Sequence, residues 1–444
     1  MLKLALRSFA HHRAGAIATG LVALVGMALV TGMMSLLATG LDAGTAAADR
    51  SFLVPFPLIM GGWTVAIVLF AMVSTISVAL GGRTGEIAGI RLIGASPRQV
   101  QWLLVMETAV LAAVAAPPGL AGGYLIGWLV TWSIRSAGLI EPASAFAPGV
   151  LLPVLGVLIV LAASVIAAWI GSRVLARRSP VADAAPPSRR RTGRRPGSRR
   201  RITAAIMICA GLGSSATVLA LDPADILTTA LTGPGCVLVA VGLCVLAPEL
   251  IAVVNLTLRA VSRTRAAASS HLAAINLSAA PDRVRPTVTF LTLFVGVAAG
   301  TLAMQGIENS AGPAGSDGQV LASVNYLVVA LIAAFMAIAL TNNLVASITQ
   351  RRTEFATMSL IGSTGAQTQR MLVREMAAAT VVSIVAGSLG AFAAVLPFAI
   401  VKTGSALPAA APLPYVVPVV VGIAVTLGVS SLVGRRVIRT ASAG

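Results

Sequence analysis

The sequence predicts an all-α polytopic membrane protein, and three observations lead to that fold class. Only 10% of the 444 residues are charged, whereas a soluble domain uses about 25%. Hydrophobic residues make up 57% of the chain and the mean hydropathy is +0.93, which is more apolar mass than a soluble fold can cover with polar surface. The charge-free runs are long and unbroken, which excludes a membrane β-barrel, because barrel strands alternate polar and apolar residues over about ten positions.

Ten charge-free runs reach the length of about 20 residues that a helix needs to cross the hydrocarbon core. We interpret the first run as a retained helix, since it is longer than the apolar region of a signal peptide and nine further runs follow it. The ten runs are 14–41, 51–82, 108–134, 142–172, 202–221, 226–248, 286–307, 318–350, 376–401 and 403–434.

The distribution of basic residues predicts the topology, because Lys and Arg are retained on the cytoplasmic side. Segments 1–13, 83–107, 173–201, 255–285, 351–375 and 435–444 hold 29 of the 32 Lys and Arg residues. Ten crossings return the chain to its starting side, so we expect both termini in the cytoplasm. The net charge of +18 then reflects topology and attraction to anionic lipid, and by itself gives no reason to expect a nucleic-acid partner.

Two of the basic segments repeat each other. When Glu86–Glu107 is aligned with Glu354–Glu375, ten of the 22 aligned pairs are identical. The same spacing, which we call the repeat offset, also matches Gly119 and Gly122 with Gly387 and Gly390, so the duplication continues into the membrane spans. Spans 1–4 and 7–10 therefore read as two copies of one unit around a central pair, a 4+2+4 arrangement.

Each repeated segment predicts a short helix, a stop and a second helix, which we call an elbow. Ile87, Ile90 and Ile93 recur at helical spacing, and Gly94 suits a left-handed C-terminal cap. Ser96 and Gln99 then have the spacing of a capping box, with a proline at the first helical position between them. Capped turns alone are not evidence of function, because any polytopic protein needs them. Capping does not, however, require glutamates on an exposed face, as we expect for Glu86 and Glu354. Because both copies of the segment carry this glutamate, we favour a role of the elbows in docking a partner.

These features divide the chain into five regions. The long linker holds 11 arginines among prolines, glycines and serines and is expected to associate with anionic lipid rather than with a specific partner. The regions are a first unit at 1–172 with its elbow at 83–107, a linker at 173–201, a central helix pair at 202–254, a cytoplasmic loop at 255–285, and a second unit at 286–444 with its elbow at 351–375.

With these residues in view, the chain resembles the permease subunits of ABC transporters of the FtsX/MacB type. Their hallmark is an E-I-x-x-x-R-x-x-G-A-[ST]-x-x-Q-[IV] segment before a long helix, which is matched here by Glu86–Val100. In the second copy Ser359, Ser363 and Thr368 depart from that pattern. The 4+2+4 layout resembles the ten-helix permeases of the bacitracin-resistance type, but only residues 308–317 stand where those relatives carry a large extracellular domain.

The resemblance implies a cytosolic ABC ATPase dimer as partner, with one elbow for each ATPase subunit. The residues expected to couple to it are Glu86, Ile87, Ile90, Arg91, Gly94, Arg98, Gln99, Glu354, Phe355, Gly362, Gln367 and Arg370. Pro117 and Pro118 interrupt a helical span, and with the nearby glycines they are hinge candidates. The glycines of this group are Gly119, Gly122, Gly387 and Gly390.

The sequence offers little for chemistry of its own. A P-loop needs Gly-Lys-Ser/Thr, but the two lysines, Lys3 and Lys402, follow Leu2 and Val401. We therefore expect ATP and Mg²⁺ to bind to the partner ATPase and no cofactor to bind here. His11 and His12 adjoin a basic membrane surface, and Cys236 and Cys244 are too far apart on a helix to chelate a metal, so we predict no catalytic and no metal site.

The function expected from these patterns is that of an ABC permease in a bacterial plasma membrane. The outer loops are short, so we expect a lipophilic or amphiphilic substrate such as a lipid, a lipopeptide or a hydrophobic antibiotic, the last implying antibiotic resistance. An alternative is a transmembrane signalling subunit that moves no substrate and acts on an enzyme or a sensor kinase. An accessory outer subunit is left open, and an ion-coupled carrier is disfavoured because no ionisable residue lies near the centre of a span.

Overall fold

A computed structural model gives the fold of the chain. It describes residues 13–81, 83–136, 138, 140–141, 145–176, 198–223, 225, 227–264, 268–279, 281, 284–311 and 316–442. Most of the predicted linker and the first twelve residues, with His11 and His12, lie outside the described residues.

Within those residues the chain is helical and holds no β-strand, which confirms the predicted fold class. Short 3₁₀ turns at Thr217–Ala220 and Leu407–Ala410 accompany the helices. The helices are α1 (Arg13–Leu41), α2 (Ala47–Leu53), α3 (Pro55–Gly81), α4 (Thr84–Leu92), α5 (Pro97–Ser136), α6 (Leu151–Ala176), α7 (Ser198–Ala216), α8 (Leu227–Val245), α9 (Ala247–Thr264), α10 (Ala268–Ala279), α11 (Arg285–Ala311), α12 (Ser316–Thr349), α13 (Arg352–Leu360), α14 (Gly365–Thr403) and α15 (Leu413–Ser442).

Ten stretches of the described helices are long and apolar enough to cross a membrane, as the charge-free runs predict. The helices extend beyond those runs at the elbows: α5 has 40 residues and α14 has 39. The segment at 255–285, predicted as the cytoplasmic connection between spans 6 and 7, contains part of α9 and all of α10. Both differences have the same cause. A charge-free run reflects the thickness of the hydrocarbon layer, whereas a helix can continue, or form, outside that layer.

The chain divides into two compact units. One comprises Met1–Arg191 and Gly312–Phe335, and the other comprises Thr192–Ala311 and Met336–Gly444. In the first, α1 packs against α3, α5 and α6. In the second, α11 packs against α8, α14 and α15, so the central helix pair belongs to the same compact unit as most of the second copy.

The duplication seen in the sequence reappears in the packing of each unit. A side chain at Gly119 on α5 would meet Met27 of α1, and one at Gly387 on α14 would meet Val295 of α11. Met27 and Val295 are themselves matched by the repeat offset. Close helix approach at matched glycines therefore sets the same helix pair in both copies.

Exposed tryptophans mark the two ends of the first unit. Trp102 and Trp169 lie at the end that carries the elbow, and Trp128 and Trp132 lie at the other end of α5. The guanidinium of Arg173 lies 5.1 Å from the centre of the Trp169 ring. Tryptophan and arginine at these levels are typical of membrane interfaces. We call the elbow end of each unit its basic side.

Candidate functional site

The first elbow has the predicted helix-stop-helix geometry. Gly94 adopts a positive φ of 107°, and the amide of Ala95 donates to the carbonyl of Ile90 at 3.2 Å, which closes the last turn of α4. Ser96 Oγ accepts from the amide of Gln99 at 3.3 Å, while Gln99 Oε1 accepts from the amide of Ser96 at 2.9 Å. This reciprocal pair is the predicted capping box, and it starts α5 directly after the stop.

The second elbow repeats this geometry. Gly362 has a φ of 92°, and the amide of Ser363 donates to the carbonyl of Met358 at 3.0 Å. Thr364 and Gln367 form the second capping box, with reciprocal distances of 3.2 and 2.9 Å. The same turn therefore precedes α5 and α14.

An ion-pair cluster joins the first elbow to the following transmembrane helix. Arg83 Nη1 lies 2.8 and 2.7 Å from the two carboxylate oxygens of Glu107. Arg83 Nε also lies 3.7 Å from Glu86 Oε2. Since Arg83 precedes α4, Glu86 begins it and Glu107 belongs to α5, the arginine ties both arms of the elbow together.

The second elbow carries the same cluster at the matched positions. Arg351 Nη2 lies 3.0 Å from Glu375 Oε2, and Arg351 Nε lies 3.1 Å from Glu354 Oε2. The guanidinium also lies 5.4 Å from the centre of the Phe355 ring, within the range of a cation–π contact. We call the two clusters the Arg–Glu–Glu triads, Arg83–Glu86–Glu107 and Arg351–Glu354–Glu375.

The two arginines were missed by the sequence analysis, although a signal was present. Arg83 and Arg351 are matched by the repeat offset, three positions before Glu86 and Glu354. Glu107 and Glu375 were interpreted there only as the ends of matching segments. The triads show that these repeated charges are structural partners of one another.

The tips of both elbows expose apolar side chains. Leu92, Ile93, Leu360 and Ile361 are between 64% and 90% exposed. Each tip is the repeated sequence Leu-Ile-Gly, and each lies on the basic side of its unit, beside the Arg–Glu–Glu triad. Exposed aliphatic residues of this kind mark a surface that contacts a protein or lipid.

The predicted coupling residues fall into two groups around these tips. Ile87 and Phe355 are buried and hold the first arm of each elbow in place, while Ile90 and Arg91 are more accessible. Exposed residues also include Gly94, Arg98, Gln99, Gly362, Gln367 and Arg370.

The two acidic residues that open the elbows differ in exposure. The side chain of Glu86 is 46% exposed, but that of Glu354 is only 16% exposed. Asn276 Nδ2 of α10 donates to Glu354 Oε1 at 2.8 Å and covers it. An exposed carboxylate is therefore found in the first copy, while the second is enclosed by a helix that the sequence analysis assigned to a loop.

The hinge candidates occupy packed and exposed positions on α5 and α14. Pro117 and Pro118 lie on an exposed face inside the continuous helix α5. Gly122 packs against Ala28 of α1, and Gly390 packs against Leu243 and Val239 of α8. Close helix packing accounts for these glycines, and hinge motion at them stays a prediction.

A further ion-pair cluster joins α7 to α9 on the basic side of the second unit. Arg200 and Arg201 of α7 lie 2.7 and 2.9 Å from Glu249 Oε1, in the first turn of α9. Partial burial raises the pKa of the Glu249 carboxyl, but hydrogen bonds from Arg201 and Arg200 outweigh it and hold the pKa below its ordinary value. The carboxylate is therefore charged at neutral pH.

Within the part of the chain that the structure describes, no group of three or more His, Cys, Asp or Glu side chains is placed to hold a metal ion. The thiols of Cys236 and Cys244 are buried among helices. The features that stand out are thus the exposed tips and the triads behind them.

Comparison with known proteins assigns these features to a family. The model described as FtsX-like permease C-terminal matches residues 58–180 and 326–443, which together cover more than half of the chain. Each matched stretch contains one complete elbow and its triad. No curated protein matches the chain. Members of this family are typically non-catalytic membrane subunits that generally work with an ABC ATPase. Since the family model matches two stretches of the chain, each with an elbow on membrane-spanning helices, the chain belongs to the FtsX-like permease family.

Proposed function

We propose that this chain is the permease subunit of an ABC transporter and couples ATP hydrolysis in a separate ATPase dimer to extraction or export of a lipophilic or amphiphilic substrate. The observation that supports the proposal best is the paired exposed tip, present in both copies and backed each time by an Arg–Glu–Glu triad. In this proposal the basic side faces the cytoplasm of a bacterium, the N- and C-termini lie there, and the membrane is the plasma membrane.

The triads supply the mechanical connection that such coupling needs. A force on the tip of the first elbow passes through Arg83 to Glu107, which lies one-quarter of the way along the 40-residue helix α5. At 1.5 Å per residue that helix is about 60 Å long and extends across the whole bilayer. Because the short helix cannot rotate without breaking the ion pairs, a small displacement at the tip moves the membrane span.

The stoichiometry also fits the proposal. Two elbows in one chain suit the two subunits of an ATPase dimer, so one permease chain suffices for each complex. ATP and Mg²⁺ belong to the partner, since neither lysine of this chain lies in a phosphate-binding Gly-Lys-Ser/Thr motif. This chain contributes the docking surfaces, the rigid connections and the lipid-facing helices.

The test uses charges at the tips, because reversal of Glu86 and Glu354 would also disrupt the triads. A variant with Leu92→Glu and Leu360→Glu should fold normally but lose copurification with the ATPase. The matched control is Ser136→Glu, an exposed position at the opposite end of α5. Normal copurification and ATP hydrolysis in the double variant would overturn the proposal.

The same complex also distinguishes transport from signalling. For a transporter, a lipid or lipopeptide substrate added to the complex in nanodiscs should stimulate ATP hydrolysis. Stimulation by a sensor kinase or another protein partner, with no response to any amphiphile, would instead favour the alternative role as a signalling subunit.

A further inference from the structure

A set of buried polar side chains in the second unit has no hydrogen-bond partner among the residues that the structure describes. Asn343 of α12 is only 2% exposed, and neither its amide nitrogen nor its oxygen is paired within that part of the chain. The hydroxyls of Thr292 on α11 and of Thr426 and Ser430 on α15 are fully buried and likewise unpaired there. We call these four residues the polar layer.

Three of the four residues lie at a similar distance, counted along their helices, from the charged residues on the basic side. Thr292 follows Arg285 by seven residues, Asn343 precedes Arg351 by eight, and Ser430 precedes Arg435 by five. At 1.5 Å per residue these separations place them about 8–12 Å from the charged boundary on the basic side, with Thr426 one turn deeper. They therefore lie within the half of the hydrocarbon core that adjoins the elbows.

Unpaired hydroxyls are not the rule in these helices. Thr301 of α11 donates to the carbonyl of Val297 at 2.9 Å, and Thr380 of α14 donates to that of Met376 at 2.8 Å. An asparagine has two donors and an acceptor to satisfy, and burying it unpaired in an apolar environment costs free energy. An unpaired buried polar group of this kind needs an explanation, and a ligand that supplies the missing hydrogen bonds is one.

The two α15 members of the layer face the packed interior. Gly422, one turn before Thr426, closely approaches Leu291 and Phe294 of α11. Gly434, one turn after Ser430, approaches Leu372 of α14. Thr426 and Ser430 thus lie on the face of α15 that runs along α11 and α14, where separation of these helices would expose them to a ligand.

The layer is more polar in the second copy than in the first. The repeat offset matches Thr292 with Leu24 and Asn343 with Thr75. In the first copy a leucine thus replaces one hydroxyl, and a single hydroxyl replaces the amide. The Thr75 hydroxyl is itself buried and unpaired within the described residues, so the first copy retains a weaker form of the same feature.

We propose that the polar layer binds the uncharged polar group of an amphiphilic substrate. An amide and three hydroxyls offer both donors and acceptors but no charge, so they match hydroxyl or amide groups and do not compensate a phosphate or an ammonium group. The inference rests on the proposed function, since it assumes that the chain handles amphiphiles. It adds the chemical class of the group that is recognised and its location.

The test is photolabelling of the full chain in lipid nanodiscs, without ATPase. The probes are dodecyl chains that carry a diazirine beside a glucosyl, a glycinamide or a phosphate head group. We expect saturable labelling by the glucosyl probe, the glycinamide probe or both, on peptides that contain Thr292, Asn343 or Ser430. Labelling by the glucosyl probe alone indicates a glycolipid-like source, and labelling by the glycinamide probe alone indicates a lipopeptide-like source.

Substitutions establish whether the labelling depends on the layer. Asn343→Leu and Thr292→Val should each raise the half-saturating probe concentration about tenfold or more, while Thr301→Val, whose hydroxyl is satisfied by its own helix, should leave it unchanged. Asn343→Leu removes an unpaired buried amide, so it should unfold at the wild-type temperature or above, and weaker labelling cannot then be ascribed to misfolding.

Two results overturn the inference. One is labelling by the phosphate probe at equal affinity, and the other is the lack of any effect of both substitutions. Since no ATPase is present in this experiment, its failure leaves the docking of the elbows to be judged separately by the tip variants.

Discussion

Arg351 Nη2 lies 3.0 Å from Glu375 Oε2, and both side chains are almost fully removed from solvent. The pair joins residues 24 positions apart, and Arg83 and Glu107 repeat it in the first copy at 2.7 Å. A buried ion pair contributes little net stability compared with apolar residues, and we expect this pair instead to limit the arrangements that the two arms of the elbow can adopt. Because the ion pair is present in both copies, we infer that each elbow must keep a fixed geometry relative to the membrane span that follows it.

Removal of the buried arginine should be costly. Arg351→Met leaves Glu375 charged and without its main partner in a fully buried position, which typically costs about 3–5 kcal/mol. The free energy of unfolding in mixed micelles measures the loss. Arg370→Met, an exposed position on the same helix as Glu375, is the control and should change stability little. Equal effects of the two substitutions would show that the triad carries no structural constraint.

The stop at each elbow requires glycine. Gly94→Ala forces a side chain into a positive φ of 107° and should destabilise the elbow by about 1–2 kcal/mol. The control is Gly89→Ala, in the interior of α4 with open space around it, which should be neutral or stabilising by about 0.5–1 kcal/mol. Thermal unfolding of the two variants gives the comparison, and a stable Gly94→Ala protein would contradict the cap assignment.

The ion pair of α9 gives a pH dependence of defined sign. The pKa of Glu249 is lowered in the folded chain, so its contribution to stability is complete above the ordinary carboxyl pKa and declines as the pH falls toward the folded pKa. Glu249→Gln should therefore be less stable than the wild type at pH 7. The difference should vanish in acid, and a difference that grows as the pH falls would refute the pairing with Arg200 and Arg201.

Replacement of the unpaired amide should stabilise the resting protein. Asn343→Leu removes a buried group without partners among the described residues and should raise the free energy of unfolding by about 1–3 kcal/mol. Calorimetry or denaturant titration in micelles provides the value. Destabilisation by a similar amount would mean that Asn343 is satisfied in the resting protein.

The sequence was sufficient for the membrane spans and for the local geometry of the elbows. The length of a charge-free run reflects the thickness of the hydrocarbon layer, so it identifies a membrane span directly. Gly94, Ser96 and Gln99 specify the turn of the elbow, because its hydrogen bonds join residues that are close in sequence. The same reasoning identified 255–285 only as a connection between spans, because charged residues break the apolar runs there, and it did not predict the helices α9 and α10. Helices outside the hydrocarbon layer leave no long apolar run to detect.

Contacts between residues that are far apart in the sequence could not be predicted from it. Arg83 and Glu107 are 24 residues apart, and Asn276 reaches Glu354 across 78 residues. The environment of the Asn343 amide is likewise a property of helix packing. These features depend on which helices meet, and a repeat in the sequence shows only that the two copies meet in similar ways.

Photo-crosslinking from the elbow tips shows which protein docks on them. Benzoylphenylalanine is placed at Ile93 or Ile361 in living cells, with Ser136 as the control at the other end of α5. If the elbows couple to an ATPase, both tips form adducts with an ABC ATPase, identified by mass spectrometry, and Ser136 forms none. Adducts confined to this chain, or to proteins without an ATP-binding motif, would contradict that coupling.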